Sequence, residues 1–104
     1  MKKITAVYSG DYYFAGDITF KKMNGMVCVN ADITSKTSMD AGETNTIGYV
    51  PDGFYPTLHI YAPLIVYSLV RGIIFITPDG KINLIASEQI EVDSYMRFSL
   101  SYAI

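Results

Sequence analysis

The side chains able to do chemistry in this sequence are few and scattered. There is one histidine, His59, and one cysteine, Cys28. A Cys–His nucleophile pair therefore has no recognisable local motif, no intrachain disulfide can form, and a zinc site of several histidines or cysteines has no ligands. No Gly-x-Ser-x-Gly elbow occurs. A carboxylate pair for glycoside hydrolysis needs closeness in space rather than in sequence, about 5–10 Å. The acids Glu43, Glu88, Glu91 and Asp93 fall in polar loop or edge segments, and water around a carboxyl does not raise its pKa. The expectation is a protein without catalysis, metal or cofactor.

Recognition of hydroxyl groups suits these residues better. A saccharide site sets an aromatic face against the apolar C–H side of a sugar ring and planar polar groups against its hydroxyls. Nine tyrosines and five phenylalanines supply faces, and four places put polar groups beside them. Asp11, Tyr12 and Tyr13 form a cluster in the turn expected after the first strand; a strand edge whose rings cover the core fits them equally well. His59 and Tyr61 share a strand face opposite Leu58 and Ile60, where a hydrogen-bonded histidine at a subunit interface is the favoured reading. Arg71, beside Gly72 and between two apolar strands, suits a hydroxyl or carboxylate donor, a turn cap or an interface ion pair. Asp93 and Tyr95 occupy a loop before the last strand, a usual setting for binding residues and for merely solvated ones.

The elements that must position these groups are strands. Alternation with period two recurs from end to end. In 27–34, Val27, Val29, Ala31 and Ile33 oppose Cys28, Asn30, Asp32 and Thr34. In 96–103, Met96, Phe98, Leu100 and Tyr102 oppose Arg97, Ser99 and Ser101. Shorter runs at 4–8, 18–22, 57–62 and 82–86 behave alike, and no useful stretch has helical periodicity. Asn24-Gly25 is the strongest short hairpin signal, because both residues tolerate positive φ. Pro78-Asp79-Gly80 marks a second tight turn, and the polar segment 34–46 reads as a long surface loop. Cys28, in an alternating run, reads as a small buried hydrophobe. These elements predict an all-β domain, an antiparallel β-sandwich or jelly-roll-like barrel of about eight strands.

Two segments, 64–70 (LIVYSLV) and 73–76 (IIFI), are apolar on both faces. A strand of that kind must be covered twice, and with only 17% charged residues the second cover is expected to be another subunit, with an internal loop as the alternative. The net charge of -2 with scattered Lys/Arg disfavours nucleic acid, which requires a basic stripe. The longest apolar run, 62–70, is too short for a membrane helix of roughly 20 residues. The N-terminal segment lacks the apolar region of a signal peptide, so synthesis in the cytoplasm is expected. One hundred and four residues make one domain.

The order of the pieces carries a resemblance. Val50-Pro51-Asp52-Gly53-Phe54-Tyr55-Pro56 is followed by Tyr61-Ala62-Pro63, then by Pro78-Asp79-Gly80-Lys81 and a closing Ser101-Tyr102. This series resembles the C-terminal head domain of tail-fibre and baseplate receptor-binding proteins from phages of Gram-positive bacteria, over about residues 18–104. Residues 1–17 match less clearly and read as a first strand or a linker to a shaft that is absent from the sequence. The resemblance implies a compact, usually homotrimeric β-domain in the virion, at the tail tip or baseplate. Its partners would be other tail or baseplate proteins and saccharide of the host cell wall. A structural domain that only trimerises or terminates a fibre is the alternative. A carbohydrate-active enzyme, or its accessory binding module, is a third reading. In the segment 47–63 the prolines and Gly53 are expected to be backbone hardware, stopping a strand at Val50 and restarting it at Thr57, with Pro63 blocking ladder pairing and Phe54 and Tyr55 covering the end of the core.

Overall fold

The structure, a computed structural model, describes residues 2–9 and 12–104, with side chains described from Phe14 onward. The alternating runs become eight strands: β1 (Lys2–Ser9), β2 (Tyr12–Met23), β3 (Met26–Ser35), β4 (Thr44–Tyr49), β5 (Ile60–Val66), β6 (Leu69–Ile76), β7 (Lys81–Ala86) and β8 (Tyr95–Ala103). No helix occurs among the described residues. All pairings are antiparallel, in the order β1-β2-β3-β8-β5-β6-β7-β4. The edge strands β1 and β4 approach to within 8 Å between Cα atoms. One sheet therefore curls on itself in a barrel-like form. The expected all-β antiparallel class holds.

The curl has one lining. Phe14, Ile18 and Phe20 of β2, Val27, Val29 and Ile33 of β3, Leu64 and Val66 of β5, Ile74 and Ile76 of β6, Ile82 and Leu84 of β7, and Met96 and Phe98 of β8 are all buried. They sit at alternate positions because successive side chains leave a strand on opposite faces. Full burial of each such side chain contributes about 1.5–3 kcal/mol. At one end Phe54 packs on the core and meets Phe20 edge to face, with ring centroids 6.5 Å apart. Tyr102, buried on β8, donates its hydroxyl hydrogen to the carbonyl of Phe54. Burial pushes its phenol pKa up to about 12.

The two signalled turns form as read. Met23 pairs with Met26 across Asn24 (φ 52°) and Gly25 (φ 76°), the double positive φ of a type I′ turn. The amide of Gly80 donates to the carbonyl of Thr77 between β6 and β7. Gly16, inside β2, has a requirement the sequence does not announce. Its φ is +118°, and an added Cβ would collide with the carbonyl of Asp32 and lie 2.9 Å from Ile33 Cα. The backbone approaches too closely there for any side chain.

Other expectations need correction. The segment 64–70 is not a strand: Tyr67 and Ser68 form a two-residue turn joining β5 to β6, with Val66 paired to Leu69. The apolar string hides this turn because it contains neither Gly, Pro nor Asn, and Tyr67 takes a φ of 53°. Only part of the two-faced character survives. In β6, Ile74 and Ile76 are buried while Ile73 is 47% exposed and Phe75 half-buried. The strand at 57–62 starts later, at Ile60, so His59 precedes it and Leu58, expected to face inward, is exposed. Pro63 does not stand before a strand but within β5, opposite Ile73. It leaves its mark on the other side, where β5 meets β8 only at Ile65 and Val66. Lacking an N–H, Pro63 cannot extend that ladder, and the two strands part. The loop between β3 and β4 is shortened to 36–43 and pinned by an isolated bridge from Met39, which is buried, to Ile90. Cys28, expected inside, is exposed; its strand alternates, and it falls on the outer face. Tyr55, expected to cover the core, is 41% exposed.

Candidate saccharide-binding groove

The parting of β5 from β8 opens a groove of about 390 Å³ on the outer face of the sheet. Its walls come from three strands. Asn30 and Asp32 stand on β3, Arg97 and Ser99 on β8, and Pro63 and Ile65 on β5. The register puts Asn30 opposite Ser99 and Asp32 opposite Arg97, so four polar side chains form a compact square beside an apolar ledge.

The hydrogen bonds leave this square with free capacity. Ser99 Oγ donates to Asn30 Oδ1 at 2.9 Å, which leaves the amide hydrogens of Asn30 outward. Asp32 does not pair with the Arg97 opposite it. Its Oδ1 accepts from the Tyr95 hydroxyl at 2.6 Å, and that bond, strongest while the phenol keeps its proton, raises the Tyr95 pKa. The Arg97 guanidinium lies instead over the Tyr95 ring, 6.0 Å from its centroid, within cation–π range. Among the described residues no carboxylate is paired with this guanidinium. Its fork of five N–H donors is thus offered to solvent, next to a carboxylate oxygen, an amide and an aromatic ring. A planar polar set flanked by apolar surface suits a neutral, hydroxyl-rich ligand.

The residues singled out from the sequence fall into separate places. Tyr95 opens β8 and does not line the groove, but touches it through Asp32 and Arg97. Asp93 lies two residues earlier, at φ 64°, where its carboxylate pairs with Lys36 at 3.1 Å. Arg71 sits on β6 beyond the β5–β6 turn, with its Nη1 3.4 Å from Glu88. His59 and Tyr61 come together elsewhere. Their rings stack at 6.5 Å, and Tyr61 stacks in turn on Phe75 at 5.9 Å. This aromatic ladder joins the groove along the outer face of β5, which at strand spacing brings Pro63 about 7 Å and Ile65 about 13 Å from Tyr61. Asp11 lies outside the described residues. Tyr12 and Tyr13 open β2 opposite Ser9 and Tyr8.

Four groove residues escape a reading of the sequence: Asn30, Asp32, Arg97 and Ser99. The alternation does assign all four to outer faces. It does not tell that β3 lies beside β8, since Asp32 and Tyr95 are 63 residues apart in sequence. Among the described residues no group of three or more His, Cys, Asp or Glu could hold a metal ion.

Comparison with protein-family models and with curated proteins gives no match.

Proposed function

We propose that this chain is the head domain of a phage tail-fibre or baseplate receptor-binding protein, adhering to saccharide of the host cell surface without cleaving it. The observation that carries the reading is the groove. It gathers Arg97 without a carboxylate partner among the described residues, the Asp32 carboxylate and the Asn30 amide beside the ledge of Pro63 and Ile65, with Tyr95 holding Asp32 and Arg97 from behind. Such a group rejects ligands without hydroxyls, because its polar atoms would be left unpaired. Among the described residues one carboxylate lines the groove, whereas glycoside hydrolysis uses two, so adhesion is favoured over catalysis. The ordered series of turn and corner motifs from Val50 to Tyr102 supports the phage assignment.

A second observation favours the purely structural reading in part. The outer face of β5 and β6 exposes Tyr61 (65%), Val70 (63%) and Ile73 (47%) side by side. A homotrimer in the virion would cover this face up to Pro63 and Ile65, which pair with Ile73 and Val70, so the groove would lie at the subunit border, where adhesion and trimerisation are compatible uses of one domain. Retention on purified walls of Gram-positive bacteria separates the two readings. The adhesive reading expects saturable binding that falls at least about tenfold, or 1.4 kcal/mol, in Arg97→Ala. Trimers that are retained on no wall would leave only the structural role.

A further inference from the structure

The β5–β6 ladder contains a bulge. Leu64 pairs with Gly72 and Ile65 with Val70, so Arg71 is the extra residue. A bulge re-aims a side chain, and this one turns Arg71 toward the 87–94 loop. The amide of Ser87 donates to the Arg71 carbonyl at 2.9 Å, and Nη1 lies 3.4 Å from Glu88. The Nε hydrogen has no acceptor among the described residues although the atom is buried. An unmet buried donor costs about 1–3 kcal/mol, and proteins keep few of them.

Arg71 lines a cavity of about 280 Å³, distinct from the groove. Val66 and Ile90 give it an apolar side; Tyr67, Gln89, Glu91 and Ser94 give it a polar one. The adjoining backbone is held in an uncommon form, with positive φ at both Tyr67 (53°) and Asp93 (64°). The two are tied together by Tyr67 Oη donating to the Asp93 carbonyl at 3.2 Å. Backbone of this kind costs of order 1–3 kcal/mol per residue and gathers at ligand sites.

We propose that the Arg71 cavity is a second binding subsite, for a single uncharged polyol or sugar ring. Charge decides against an anion: Glu88 already offsets the guanidinium, and Glu91 adds a further carboxylate. Both hydrogen-bonding senses are present, donors at the Arg71 guanidinium and the Gln89 amide and acceptors at Glu91 and the Gln89 carbonyl. A ring hydroxyl meets both. The volume is just below the range of about 300–1,000 Å³ found for drug-sized ligands, which suits one ring and not a chain. This subsite stands apart from the groove's role, since it uses none of the groove's residues.

The test is NMR titration of the whole domain with glycerol, glucose and N-acetylglucosamine, following the Arg71 Nε–H and the Gln89 side-chain amide. Sodium glucuronate and inorganic phosphate serve as anionic arms. At least one neutral probe should shift both signals saturably, and Arg71→Lys, which keeps the charge but loses the Nε donor, should weaken the response about tenfold. Gln89→Ala should weaken it too, in case the lysine variant folds poorly. Arg97→Ala should leave it unchanged, so that failure of the groove and failure of this cavity are told apart. Absence of a saturable shift with every neutral probe, an undiminished response in both cavity variants, or a response to the anions alone would overturn the proposal.

Discussion

Arg97 and Asp32 face each other across β3 and β8 yet do not form an ion pair, and the reason is Tyr95. Its hydroxyl takes the carboxylate at 2.6 Å and its ring takes the guanidinium. Tyr95→Phe keeps the ring and removes the donor. Asp32 should then turn to Arg97, and saccharide binding should drop about tenfold with little loss of stability, as paired isotherms and melting curves would report. A second residue reports on the core. In the folded state Tyr102 ionises near pH 12 rather than 10, so the fold favours the protonated phenol. Its contribution is present below pH 10 and is lost as pH rises from 10 through 12. Denaturant unfolding followed across that interval should show stability falling, and Tyr102→Phe should flatten this component. At this scale the sequence is partly legible. Tyr95 stands out as an aromatic near an acid, although it opens β8 and does not sit in the loop expected before it, and Arg71 as a cation among apolar residues. Asn30 and Asp32 do not, because nothing local says which strand will lie beside β3.

Elements follow from alternation and turn chemistry wherever both are present. β3 and β8 keep period two throughout, and Asn24-Gly25 fixes the β2–β3 register by itself. The failures cluster where one signal is missing. Tyr67-Ser68 is a turn without Gly, Pro, Asn or Asp, so Leu64 to Val70 reads as continuous strand until long-range pairing with β8 and the Tyr67–Asp93 hydrogen bond are known. Pro63 is legible as a ladder breaker, but not the side of β5 on which it breaks the ladder, and that side is where the groove opens. Gly16 belongs to this scale as well. With φ at +118° and the Asp32 backbone against it, Gly16→Ala must displace β3 beneath the groove. A loss of at least about 2 kcal/mol is expected from strain at such a position, measurable by chemical denaturation.

The whole molecule is one curled sheet that leaves two kinds of surface outside. One is the polar groove at the β3–β8–β5 seam, proposed to take saccharide. The other is the apolar face of β5 and β6, with its His59–Tyr61–Phe75 stack, proposed to take a neighbouring subunit. Ile73→Glu lies on the second, exposed and away from the core lining. It should leave the fold intact, abolish assembly in sedimentation velocity, and weaken retention on multivalent cell walls through lost avidity. Adhesion through the groove is tested most directly by the structure of the assembled domain soaked with a wall-derived saccharide fragment. The expected result is a sugar ring beside Tyr95, its hydroxyls held by Asn30, Asp32 and Arg97, with its glycosidic bonds intact. A ring bound only on the His59–Tyr61 stack, or a fragment cleaved at the groove, would contradict it.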